Sequence, residues 1–146
     1  MIKIYTKKLN VNDALNKFSF SSLKVGAEVN FIGYVRDFSQ ERFDVKELWI
    51  EYYDGMTQKV LMEIESIARS KWNLIDVVIC HRAGKVRIGD PIVLVSVFSS
   101  HRDDAFEACR FIIDSLKVNA PLWKKEVSNN QSFWVEQEES DLVKVK

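Results

Sequence analysis

The chain is poor in the residues that mark specialised architectures. Among 146 residues there are two cysteines, two histidines, two prolines and five glycines. Cys80 and Cys109 lie far apart with no metal-like spacing, so neither a disulfide framework nor a cysteine-rich metal site is expected. Both fall in apolar segments, the usual setting of reduced, buried thiols. No glycine-rich loop follows the first expected strand, which excludes the dinucleotide-binding and phosphate-loop fingerprints. No apolar run approaches the roughly 20 residues of a membrane span. The N-terminal MIKIYTKKLN alternates apolar and polar residues and lacks the apolar core of a secretory signal. Lys plus Arg equals Asp plus Glu, at 21 each, so no excess charge draws the chain to nucleic acid or to a membrane surface. The expectation is a cytoplasmic protein with no nucleic-acid, membrane or metal partner.

What is present points to a folded core. The chain is 47% hydrophobic and 29% charged, a globular balance rather than a disordered one. Its length suits one domain over 1–146, with a polar, peripheral tail from Gln137. Strands are expected over Ile2 to Thr6, Gly26 to Arg36, Val45 to Tyr53, Asp76 to His81 and Pro91 to Phe98, and in two final runs, Leu122 to Val127 and Ser132 to Glu136. Gly33, inside the second run, suggests a bulge or a close backbone approach. A short helix should end near Phe18. Asp54 should cap a long one running to about Trp72, with Met56, Val60, Ile64 and Ile67 as its apolar stripe and Leu61 and Ala68 widening it. A second long helix carries Ala105, Cys109, Ile112 and Leu116, with Phe106 and Ile113 beside them. Pro121 ends it. Two long helices interleaved with hairpin-connected strands argue for an α+β domain built on a mixed sheet.

Four stretches carry polar chemistry. In SSHRDDAFEAC (99–109), Ser99 or Ser100 can cap the second long helix, with Asp103 closing a capping box from Ser100. His101 and Arg102 would then open the helix, where free N–H groups and the positive dipole end favour a phosphate or carboxylate. The plainer reading pairs Arg102 with Asp103 or Asp104 and leaves His101 on the surface. His81-Arg82 ends another strand and is read as a satisfied structural pair, although two strands ending in His-Arg could line one sheet edge. In LKVNAPLWKKE (116–126), Lys117 suits the negative end of the helix. If the following segment is extended, Lys124 and Glu126 share a face and Lys125 takes the other. A lysine beside apolar groups can serve in proton transfer or as a nucleophile. In GYVRDF (33–38), Arg36 can clamp an anion at a strand end.

Taken together, FIGYVRD, EYYDGMTQKVLMEI, VVICHRAGKVRIGD, VSVFSSHRDDAFEAC and DSLKVNAPLWKKE make the chain resemble the large, catalytic subunit family of molybdopterin synthase, from about Gly26 to Glu136. The resemblance implies an α/β-hammerhead fold and a sulfurtransferase that converts cyclic pyranopterin monophosphate to molybdopterin. It implies a small ubiquitin-like partner whose C-terminal Gly-Gly thiocarboxylate supplies the sulfur, and a homodimer at the centre of a heterotetramer. No cofactor is implied. The family's substrate-binding positions fall at Tyr34, Val35, Arg36, His101, Arg102, Lys117, Lys124, Lys125 and Glu126, with Lys117 and Lys124 the catalytic pair. The chain departs from the family at Tyr34, where a basic residue is common, and in the loop DFSQERFD (37–44), which lacks the usual glycine. A helix from His101 to Lys117 would separate its ends by about 24 Å, at about 1.5 Å per residue. A single chain would then reach one ligand from both ends only at full stretch, and a pocket shared across a two-fold interface is expected. The competing expectation is a non-catalytic module that docks a ubiquitin-like tail or a phosphorylated ligand. A cysteine-based sulfurtransferase using Cys109 is a third.

Overall fold

The computed structural model describes residues 1–17, 22–37, 47–127 and 132–134. Most of the loop 37–44, the turn 128–131 and the polar tail lie outside the described residues. In chain order the elements are β1 (Ile2–Tyr5), α1 (Val11–Lys17), β2 (Ala27–Tyr34), β3 (Glu47–Tyr52), α2 (Met56–Lys71), β4 (Leu74–Arg82), β5 (Gly84–Val86), β6 (Pro91–Ser99), α3 (Arg102–Asn119), β7 (Leu122–Val127) and β8 (Ser132–Trp134).

The strands form two sheets of four. The first has the order β1-β4-β6-β2 and is mixed: β1 runs parallel to β4, and the other pairs are antiparallel. The second, β5-β3-β7-β8, is antiparallel throughout. The expected mixed sheet is therefore present, and a second sheet stands beside it. The short β5 switches the chain from one sheet to the other directly after β4.

The central strands β4 and β6 are buried on both faces, which explains their unbroken apolar runs. One face carries Val77, Ile79, Val93, Val95 and Val97 into the main core, with Leu61, Ile64 and Ala68 of α2, Ala105, Cys109, Ile112 and Leu116 of α3, and Leu48 and Ile50 of the second sheet. The other face sends Val78, Cys80, Leu94 and Phe98 against Leu9 and Ala14 of the α1 region. The two long helices meet through Trp72, whose ring lies 5.4 Å from that of Phe111 and whose Nε1 donates to Glu107.

Gly33 is both a bulge and a close approach. The register with β6 shifts between Gly33 and Tyr34, and a Cβ at Gly33 would lie 2.6 Å from Val93 Cγ1. Three local expectations are corrected. The buried stripe of α2 is Thr57, Leu61, Ile64 and Ala68, while Met56 and Ile67 are exposed. The core-facing side is the one on which Leu61 and Ala68 widen the expected stripe, with Ile64 common to both. Thr57 fits this interior because its hydroxyl is used twice: it accepts from the Tyr53 N–H and donates to the Pro121 carbonyl. The N-cap of α2 is Gly55, at φ 76°, and Asp54 instead accepts from the Gly55 N–H. Phe106, expected beside the apolar stripe of α3, is exposed.

Among the described residues no helix is long and apolar enough to cross a membrane.

Candidate active site

The helix α3 is unbroken over 18 residues, so His101 and Arg102 lie at one end and Lys117 at the other. Strand order extends this division to the other candidates. β2 and β6 are antiparallel, with Ala27 opposite Ser99 and Tyr34 opposite Pro91. The chain leaves β6 at Ser99 for His101, and leaves β2 at Tyr34 for Arg36. His101 and Arg36 therefore sit at opposite ends of the first sheet. β4 is also antiparallel to β6, with His81 opposite Val93. The two His-Arg pairs do not line one edge, because antiparallel strands finish at opposite ends. The end that begins β6 holds His81, Arg36 and, by the return of α3, Lys117.

The N-terminal end of α3 is open. Its N-cap is His101, with extended backbone and no side-chain cap. The expected serine cap does not form because Ser99 is still in β6: its buried hydroxyl donates to the Asn73 carbonyl and accepts from the His101 N–H. Arg102 meets Asp103 only at 3.9 Å, with both side chains more than four-fifths exposed. Such a pair contributes little, so the guanidinium is available to an incoming anion. Asp103 and Asp104 occupy the first turn and oppose an anion there. A ligand at this end needs positive charge from Arg102 as well as the helix dipole.

The other end is built from two elements. Lys117 occupies the last turn of α3 and is exposed. Lys124 and Glu126 lie on β7 opposite Ile50 and Leu48 and share the face of those core residues. Lys125 takes the other face. Its ammonium lies 3.8 Å from Glu51 Oε1 and 5.6 Å from the Trp134 ring centroid. The alternation expected from the sequence therefore holds, and it separates Lys125 from Lys124. Exposed Trp49, Trp123 and Trp134 belong to the same outer face as Lys125. Val35 has its side chain in the core, its N–H donates to the Asp90 carbonyl and its carbonyl accepts from the Gly89 N–H. It fixes the path of its neighbour Arg36. Tyr34 lines an open groove of about 610 Å³ with Lys8, Asn10, Asn12, Ile32 and Pro91, and neither Lys117 nor Lys124 borders this groove. That groove is thus not where the other candidate residues gather.

Arg82 behaves as a structural residue. Its guanidinium donates to the carbonyls of Tyr5, Ala83 and Lys85 and so ties β1 to the turn between the sheets. His81 is buried, and desolvation lowers its pKa to about 4, with the charge of Lys124 acting in the same direction. The sequence signal was the buried-strand context of VVICHR, which already set this histidine apart from the exposed His101. Both thiols are held protonated by burial, Cys109 most of all, with its pKa raised to about 11. Among the described residues no group of three or more His, Cys, Asp or Glu is placed to hold a metal ion.

The arrangement thus places cationic groups at both ends of α3, with Lys117 and Lys124 at the same end. Comparison with known proteins shows the family. The family model described as MoaE protein matches residues 4–119. A molybdopterin synthase catalytic subunit from Pseudomonas aeruginosa is 41% identical over 140 residues, covering 96% of this chain and 93% of the relative. One from Vibrio cholerae is 47% identical over 118 residues, covering 81% and 78%. Among solved structures, the molybdopterin biosynthesis MoaE protein from Burkholderia ambifaria superposes with a TM-score of 0.80 at 36% identity, covering 97% of this chain and 95% of that one. Molybdopterin synthase from Staphylococcus aureus gives 0.79 at 32% identity, covering 91% and 95%. The chain belongs to the MoaE family, whose matched relatives are molybdopterin synthase catalytic subunits.

Proposed function

We propose that the chain is the sulfur-transferring subunit of a molybdopterin synthase. It converts cyclic pyranopterin monophosphate to molybdopterin with thiocarboxylate sulfur from a small ubiquitin-like carrier. The observation that carries this reading is the lysine pair: Lys117 at the end of α3 and Lys124 on the core-side face of β7, in a chain that belongs to this family. Lys117 moves a proton at the substrate carbon that receives sulfur, or forms a transient imine there. Lys124 stabilises the negative charge that develops. Arg36, His101 and Arg102 take the phosphate-bearing part, and Glu126 orients the lysines.

The pocket is composite. The ends of α3 stand roughly 24 Å apart, at about 1.5 Å per residue, so His101 and Arg102 of one subunit serve the lysines of another across a two-fold interface. Two such subunits, each a single domain, form the centre of a heterotetramer. The buried, protonated state of both thiols suits the reducing cytoplasm.

The test is incubation of the chain with thiocarboxylated carrier and the cyclic pterin. Formation of the dithiolene product supports the enzyme. Carrier binding without product, with all components active in a control synthase, would make the chain a docking module and overturn the proposal.

A further inference from the structure

His81 and Lys124 reach one core edge from different sheets. Alternation along β4 sends Val77, Ile79 and His81 to the same face, and Val77 and Ile79 belong to the main core. In the second sheet Lys124 stands opposite Ile50, which belongs to that core too. Ile50 stands in turn opposite Gly84, the first residue of β5, just past the end of β4. Lys124 and Gly84 thus flank one strand, about 10 Å apart at about 4.8 Å per strand spacing. Lys124 is exposed on its strand, yet its charge acts on His81, as a stem running along Ile50 towards the end of β4 would allow.

The chemistry of the two groups is complementary. His81 is 6% exposed. Its Nδ1 lies 2.8 Å from the Arg82 carbonyl oxygen. A carbonyl can only accept, so Nδ1 carries the proton, and in the neutral ring Nε2 is an acceptor. Burial keeps the ring neutral. An ammonium offers three donors and no acceptor.

We propose that His81 is a positioning residue for Lys124: its Nε2 accepts an N–H from the Lys124 ammonium and fixes that side chain at the edge of the pocket. The catalytic consequence rests on the role proposed above for Lys124; the contact itself does not. An ammonium anchored on a buried, neutral acceptor is pre-oriented towards the charge that develops on the substrate. An unanchored lysine must be ordered during each turnover.

Two measurements decide it. The chain has two histidines, so the ring-nitrogen resonances can be assigned with a His101→Gln variant and followed against pH. His81 should show the Nδ1–H form, and its titration should move upward in Lys124→Met, where the neighbouring charge is gone. An unchanged His81 titration and Nε2 resonance in that variant would overturn the contact, whatever the protein catalyses.

The second measurement is a double-mutant cycle in the synthase assay. His81→Phe, which keeps a ring and loses the acceptor, should lower kcat by roughly ten- to a hundredfold, the usual worth of a hydrogen bond to a charged group. KM should change less. His81→Gln, which restores an acceptor, should recover most of the loss, and His81→Phe should cost nothing further in a Lys124→Met background. Additive losses mean that His81 supports the fold alone, and they overturn the positioning role. Absence of turnover in the unsubstituted protein overturns the proposed function instead, and the resonance measurement still decides the contact.

Discussion

The two ends of α3 carry similar charges in different settings. At the N-terminal end, His101 and Arg102 sit in open solvent, and nothing around them fixes a side chain in one rotamer. At the C-terminal end, Lys117 emerges beside β7, and Lys124 shares a face with Ile50 and Leu48 and lies within the electrostatic reach of buried His81. The exposed end can capture an anion but orders it only weakly. At the other end the lysines are exposed too, but Lys124 is backed on its strand face by Ile50 and Leu48. A single chain thus carries the anion-capturing pair at one end of α3 and the lysines at the other, and a two-fold partner would bring them together.

The comparison breaks first at Lys117. Lys117→Ala should reduce product formation by more than about a hundredfold, the scale of a lost general acid–base group. Binding of the small carrier should survive, as measured by titration calorimetry. Retained turnover would place the chemistry elsewhere. His101→Ala should act differently, raising KM for the pterin more than it lowers kcat.

A mixing experiment sharpens the same contrast. Lys117→Ala and His101→Ala chains are each defective alone. Random exchange makes half of the dimers mixed, and each mixed dimer has one intact composite site of two, so about a quarter of wild-type activity should return. No recovery, with exchange verified by mass spectrometry, would mean that both ends act within one chain.

The histidines give the next contrast, in stability. His81 titrates near 4 in the folded protein against an ordinary 6.5. Between those values the unfolded chain takes up a proton that the folded chain refuses. The neutral ring's contribution is complete above about pH 6.5, is lost as pH falls, and is gone by about pH 4. This is worth about 3 kcal/mol at 1.36 kcal/mol per unit. Urea unfolding at pH 7 and pH 4 should show that difference in the wild type and much less of it in His81→Gln.

Much of this architecture is legible in the residues. The two-face burial of β4 and β6, the second long helix, the bulge at Gly33 and the alternation of Lys124, Lys125 and Glu126 all follow from local periodicity. What was misread depends on tertiary contacts. Thr57 belongs to the core only because Tyr53 and Pro121 come together to bond its hydroxyl. Ser99 fails as a cap because β6 continues through it to pair with Ala27 and Leu74. The opposition of the two His-Arg pairs needs the antiparallel register of β4 and β6, which no single strand carries. His81 reads as structural in the sequence because its neighbour Lys124 arrives from the second sheet.

The smallest expected effect lies midway along α3, at Cys109. Its thiol packs into the core near the Val95 carbonyl, and burial raises its pKa to about 11. At neutral pH only about one thiol in ten thousand is then ionised, and a sulfur-carrying cysteine reacts as the thiolate. Cys109→Ala should leave kcat and KM within about twofold of wild type while removing on the order of 1 kcal/mol of stability through the small cavity left behind. Thermal unfolding and steady-state kinetics on the same preparation separate the two. A large fall in kcat at preserved thermal stability would make Cys109 the sulfur carrier and dissolve the distinction between the two ends, because the chemistry would then sit between them. An unchanged rate leaves the sulfur on the partner's thiocarboxylate until the substrate carbon receives it, with the lysines handling the proton and the developing charge.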